Sequence, residues 1–93
     1  IYLLHFDTPY HHAKHYMGST ADLEKRIDEH RRGISGVKLM KVIHDAGIEF
    51  KVARLWKGDK NRERQLKNQG GFSRKCPICK VLAQGKTAPE IQI

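Results

Sequence analysis

The stretch from His15 to Arg32 reads HYMGSTADLEKRIDEHRR and passes from a strand-like run directly into a capped helix. Tyr16-Met17-Gly18 closes the strand, Ser19 followed three residues on by Asp22 signals a helix start, and Gly33 supplies a stop. A helix is predicted over Thr20–Arg32. At about 100° per residue, Leu23 and Ile27 fall roughly 40° apart, while His30 and Arg26 lie roughly 20° and 60° to the other side of Leu23. Arg26 and His30 therefore flank the buried stripe, and Glu24, Lys25, Asp28 and Arg32 face water. A cation and an imidazole four residues apart on that flank either snorkel over the rim of the core or perform a task at a helix–sheet junction.

Around this stretch the chain alternates strand and helix signals. Ile1 to Phe6 is β-branched, aromatic and bulky, and Asp7-Thr8-Pro9 ends it with turn residues. With the polar connection Tyr10 to Lys14, the first two strands make an antiparallel hairpin with a long loop, placing Tyr2 and Tyr16 on paired neighbours. Val37–Ala46 carries Leu39, Ile43 and Ala46 on one face, flanked by Met40 and Val42, as a second helix closed by Gly47. Ile48, Phe50 and Val52 alternate with polar residues in a third strand that ends at Lys57-Gly58-Asp59, where Trp56 is a core or rim anchor. Asp59 caps a third helix, Lys60–Asn68, in which Leu66 is the one large apolar residue. Gly70-Gly71 breaks it, and Pro77 opens a short final helix to about Gln84.

Ninety-three residues suit one domain, assigned to residues 1–85, with residues 86–93 as a tail without predicted structure. No run of eighteen or more apolar residues is present to span a bilayer, and no signal-peptide pattern is visible. The chain opens inside a strand, so its natural N-terminus is expected to lie at least one residue upstream. Eighteen Lys and Arg against ten Asp and Glu give +8, which points to polyanions. Nucleic acid is favoured over a membrane surface because the cations are spread over several elements and no basic amphipathic helix has an aromatic face.

Cys76 and Cys79 are the two cysteines, in Cys-Pro-Ile-Cys. A secreted disulfide scaffold uses more, and more widely spaced, so a reducing, cytoplasmic setting is expected. The motif also resembles half a zinc site without a second half of comparable spacing, and inert buried thiols are the reading it leaves. Histidines 5, 11, 12 and 15 lack a helical i, i+4 pair or a nearby carboxylate, so a loop touching phosphate or solvent is expected rather than a metal site. In the third helix Arg62, Arg64 and Lys67 surround a single acid, Glu63. It either pairs with Lys67 at i, i+4 or serves as a ligand for a divalent metal that shares the site with phosphate.

The order strand, strand, helix, helix, strand, helix, with these residues in place, resembles the GIY-YIG nuclease family from Ile1 to about Cys79. The resemblance rests on Ile1-Tyr2 in the first strand and Tyr16-x-Gly18 in the second, on Arg26 ten residues after that tyrosine with His30 four further on, and on Glu63 in a later basic helix. The run Asn68 to Cys79 is similar to a subgroup of small stand-alone predicted nucleases. Two departures are visible: the first motif lacks its leading glycine, and Met17 stands where Ile or Val is usual.

The resemblance implies an α+β fold, an α/β sandwich with a small central three-stranded antiparallel sheet flanked by helices in the order β-β-α-α-β-α-α. It also implies a metal-dependent endonuclease that hydrolyses phosphodiester bonds, with DNA as the expected partner and no obligate protein partner. Mg²⁺ or Mn²⁺ is the implied cofactor, with Glu63 as its ligand. Tyr2, Tyr16, Arg26, His30 and Glu63 are the implied catalytic residues: Tyr2 activates water, Tyr16 and His30 order that network, and Arg26 grips the phosphate. With no helix-turn-helix or zinc-finger module, low sequence specificity is expected. Two other classes remain open on the residues alone. One is a catalytically silent basic module that binds nucleic acid; the other is a zinc-stabilised or redox-sensing interaction domain built on Cys76 and Cys79.

Overall fold

A computed structural model describes residues 1–83, 85 and 91, without the side chains of Ser73 and Ala83. The expected tail falls outside the described residues except at Ile91, whose N–H donates to the Val52 carbonyl at 3.1 Å.

Strand β1, Tyr2–Tyr10, lies at the centre of an antiparallel sheet in the order β2-β1-β3, with β2 spanning Ala13–Gly18 and β3 Phe50–Leu55. Its residues Tyr2 to Phe6 are all buried, because helices cover both faces of the sheet. That explains an apolar run without two-residue alternation. Tyr2, Leu4 and Phe6 form one core with Phe50, Val52, Ile27, Met40 and Ile43. Leu3 and Met17 point the other way, into a second core with Ala53, Leu66, Cys76 and Ile78.

The helices are α1 (Leu23–Arg31), α2 (Lys38–Asp45), α3 (Lys60–Gln69), α4 (Phe72–Lys75) and α5 (Pro77–Ala83). The fold is thus α+β with the expected element order, plus the single-turn α4 that the sequence reading did not include. Helices α1 and α2 supply the first core, and α3 and α5 supply the second. Since Leu66 is the one buried residue of α3, that helix is fastened through a single large side chain.

Three local details differ from the sequence reading. The hairpin is tight rather than long: Tyr10 pairs with Ala13 across His11-His12, and His11 takes a positive φ of 54°. Pro9 is tolerated there because the Asp7 N–H makes the last backbone bond towards the β3 side, to the Glu49 carbonyl. Two residues on, the missing donor of Pro9 points past the end of β3. Helix α1 starts at Leu23 with Asp22 as its cap, accepting the Lys25 N–H at 3.2 Å, while Thr20 closes a turn onto Asp22. Strand β3 is shorter than expected, yet Ile1 and Trp56 still exchange backbone bonds of 3.0 and 2.9 Å at its end.

Candidate functional site

The end of the sheet where β1 begins and β2 finishes carries Tyr2 and Gly18 as direct partners, with Tyr16 opposite Leu4. Two-residue alternation puts Tyr2, Tyr16 and Gly18 on the same face, the one covered by α1. Their phenol rings lie 6.2 Å apart. A β-carbon at Gly18 would sit 2.5 Å from the Tyr2 hydroxyl oxygen and 3.1 Å from Tyr16 Cε2. Glycine is therefore the residue that lets the two tyrosines close over the strand end.

Helix α1 delivers His30 into the same place. The ring is 1% exposed, its Nε2 lies 2.7 Å from the Tyr2 hydroxyl, and its centroid is 5.4 Å from that of Tyr16. The other nitrogen, Nδ1, is 2.8 Å from Ser35 Oγ in the turn between α1 and α2. Ser35 also accepts the Val37 N–H at 3.4 Å, and its backbone carbonyl accepts Arg26 Nη1 at 3.0 Å. One turn residue thus fixes both the imidazole and the guanidinium. The sequence reading treated Gly33-Ile34-Ser35-Gly36 only as a flexible turn. Its available signal was a hydroxyl five residues after His30, close enough to fold back on the ring.

Arg26 remains partly open, with a side chain 28% exposed and a 3.5 Å contact to Glu29. Glu63 approaches from α3, which packs against β2. Its carboxylate is 3.9 Å from Lys67, whose ammonium lies 5.9 Å above the Tyr16 ring. The Glu63 charge reaches both phenols, pushing their pKa values up. Tyr2, Tyr16, Arg26 and His30 therefore come together from three elements, with Glu63 of α3 near enough for its charge to reach both phenols.

The electrostatics follow from that enclosure. Burial pushes the Tyr2 hydroxyl up to about 12, with Arg26 opposing the shift and Tyr16 and Glu63 adding to it. Burial also raises Tyr16, again against Arg26. His30 falls to about 4, first because it is buried and then because Arg26 is cationic, with Glu29 opposing. At pH 7 the site therefore holds two neutral phenols and a neutral imidazole beside a fixed positive charge.

On the opposite face of the sheet His5 and His15 are direct partners across β1 and β2, their rings 5.3 Å apart. They meet Cys76 and Cys79 at the start of α5. The four nitrogen and sulfur atoms all lie within 4.8 Å of one another, and the cysteines are reduced. The protein thus contains a His/Cys cluster able to hold a metal ion, a donor set suited to a softer metal than Mg²⁺ or Mn²⁺. The inert-thiol reading is revised accordingly: Cys76 is buried, but its thiol and that of Cys79 face imidazoles. His11 and His12 stay apart in the hairpin turn. The usable signal was register, since pairing Tyr2 with Gly18 also pairs His5 with His15, the strand irregularity between His5 and Tyr10 falling beyond both pairs.

No family model, no curated protein and no solved structure matches this chain.

Proposed function

We propose that this protein is a metal-dependent endonuclease of the GIY-YIG type, acting on DNA with low sequence specificity. The observation that carries the reading is the meeting of two phenols, an imidazole and a guanidinium at one end of the sheet of a strongly basic chain, with the Glu63 carboxylate in electrostatic reach of the phenols. A groove bordered by His12, Lys14, Lys67 and Arg74 leads away from Lys67 and offers cations to a phosphate backbone.

Hydrolysis of a phosphodiester needs an activated water and a counter-charge for the oxygens of the pentacoordinate state. Arg26 supplies the charge: its planar fork grips phosphate, it stays protonated at every working pH, and the Ser35 carbonyl aims it. Burial raises Tyr2 well above its ordinary value, so in the metal-free protein it is a neutral phenol. Its hydroxyl is instead held in place by the 2.7 Å contact to neutral His30. Tyr2 thus orients the attacking water through a hydroxyl whose own hydrogen bond runs to His30 Nε2, while Nδ1 is held by Ser35. Tyr16 closes the site against bulk water.

Glu63 fits the role of ligand to Mg²⁺ or Mn²⁺, because such hard ions bind through one or two carboxylates and complete their shell with water and substrate phosphate. Its side chain is 19% exposed, so one oxygen can face that shell. When bound, the ion supplies a counter-charge to the leaving oxygen.

The test is a cleavage assay on single- and double-stranded DNA with Mg²⁺ or Mn²⁺. Wild type should cut, and Arg26→Ala and Glu63→Ala should each lose at least about 100-fold in rate. Equal cleavage by wild type and variants would remove the assignment. Tight, salt-sensitive binding without cleavage under any divalent metal would favour a catalytically silent nucleic-acid-binding module instead.

A further inference from the structure

The face of the sheet turned away from Tyr2 carries a second centre, and we propose that His5, His15, Cys76 and Cys79 bind one structural Zn²⁺ ion. The donor atoms are His5 Nδ1, His15 Nε2 and the two Sγ atoms. His5 Nδ1 lies 3.4 Å from His15 Nε2, 3.5 Å from Cys76 Sγ and 3.4 Å from Cys79 Sγ, and Cys79 Sγ lies 3.3 Å from His15 Nε2. With Zn–N near 2.05 Å and Zn–S near 2.3 Å, a tetrahedron puts two nitrogens about 3.4 Å apart and a nitrogen and a sulfur about 3.6 Å apart. These four spacings match the corresponding edges of that tetrahedron to within a few tenths of an ångström, and all four donor atoms lie within 4.8 Å of one another. They leave room for one ion at the centre and none for a polynuclear iron–sulfur cluster.

Charge and local structure fit the same ion. Two thiolates and two neutral imidazoles around Zn²⁺ make a neutral unit, and loading releases the two thiol protons to solvent. A neutral unit is what a half-buried location accepts at least cost. The Cys79 N–H points at Cys76 Sγ at 3.5 Å, a contact that stabilises sulfur in its anionic form. The mixed nitrogen and sulfur set selects zinc over Mg²⁺ or Mn²⁺.

With four protein ligands the centre is closed, which makes it structural and separate from the hydrolytic site. Its ligands join the hairpin at the beginning of the chain to the α4–α5 junction more than sixty residues later. Among the described residues that junction also meets the sheet through buried Ile78 and through Arg54 of β3, whose Nη1 donates to the Lys75 carbonyl at 3.4 Å.

The full-length chain purified without chelators should retain one zinc per molecule after dialysis. Replacing it with Co²⁺ should give the intense visible absorption of a tetrahedral site with thiolate-to-cobalt charge transfer. Cys79→Ser and His15→Ala should both lose that band and the stoichiometric zinc. In case a variant fails to fold, the wild type alone provides a second measurement: Zn²⁺ added to the metal-free chain should raise its Tm by at least about 10 °C. A weak octahedral cobalt spectrum in wild type, zinc retention unchanged in both variants, or a Tm indifferent to Zn²⁺ would each overturn the assignment. These readouts do not involve cleavage, so they stand or fall independently of the nuclease reading.

Discussion

Gly18 lies so close beneath Tyr2 that a β-carbon there would approach the phenol oxygen to 2.5 Å and its Cζ to 2.7 Å. The neighbour is the rigid end of a ring that is itself 1% exposed and held by His30, so it has little room to move. Gly18→Ala should therefore cost about 1–3 kcal/mol of stability by overpacking. Chemical denaturation measures this directly. An unchanged midpoint would mean that Tyr2 moves freely.

Ser35 is expected to act as a positioning residue through its hydroxyl. Ser35→Ala leaves the backbone carbonyl that aims Arg26 but removes the partner of His30 Nδ1, at a cost of about 1 kcal/mol. On the hydrolytic reading kcat should fall while KM changes little, and Ser35→Thr should restore it. Equal losses in both variants would point to general damage of the turn.

Stability should depend on pH through His30. Its folded pKa of about 4 lies below the unfolded value of 6.5, so the unfolded chain binds more protons between them. The contribution is fully present above pH 6.5 and is lost progressively as the pH falls towards 4. The expected size is of order 2–3 kcal/mol, and the loss of stability between pH 7.5 and 5, read from urea midpoints, should be smaller in His30→Gln than in wild type by most of that amount, the remainder belonging to His15 and His5, which burial also lowers. Identical slopes in the two proteins would assign the effect to another group.

Leu66 should govern α3. Removing the single buried side chain of that helix with Leu66→Ala should cost about 2–5 kcal/mol and loosen the segment carrying Glu63. Hydrogen exchange of α3 backbone amides offers a local check, and protection unchanged from wild type would show that the helix is held elsewhere.

Arg26→Lys tests geometry against charge. Lysine keeps the positive charge but lacks the planar fork and the bond to the Ser35 carbonyl. If the proposed chemistry holds, cleavage should fall about 10–100-fold with duplex binding nearly unchanged. Wild-type rates in this variant would show that charge alone suffices.

The sequence by itself determined the element order, the apolar stripe of α1 and the flank that carries Arg26 and His30. These follow from backbone periodicity, which spans only a few residues. In α2 the inner face turned out shifted from the expected Leu39, Ile43 and Ala46: Ile43 and the flanking Met40 are buried, Leu39 is half-buried and Ala46 is exposed, because the contact with the sheet and not the spacing alone fixes the helix rotation. Tertiary structure alone decided what those flanks meet. Ser35 became the shared anchor of His30 and Arg26 only because the α1–α2 turn folds back on its helix. His5, His15, Cys76 and Cys79 look unrelated along the chain, since no local pattern links residues some seventy positions apart. They meet because hairpin register and the packing of α5 against the sheet are set by long-range burial, to which short-range spacing is blind.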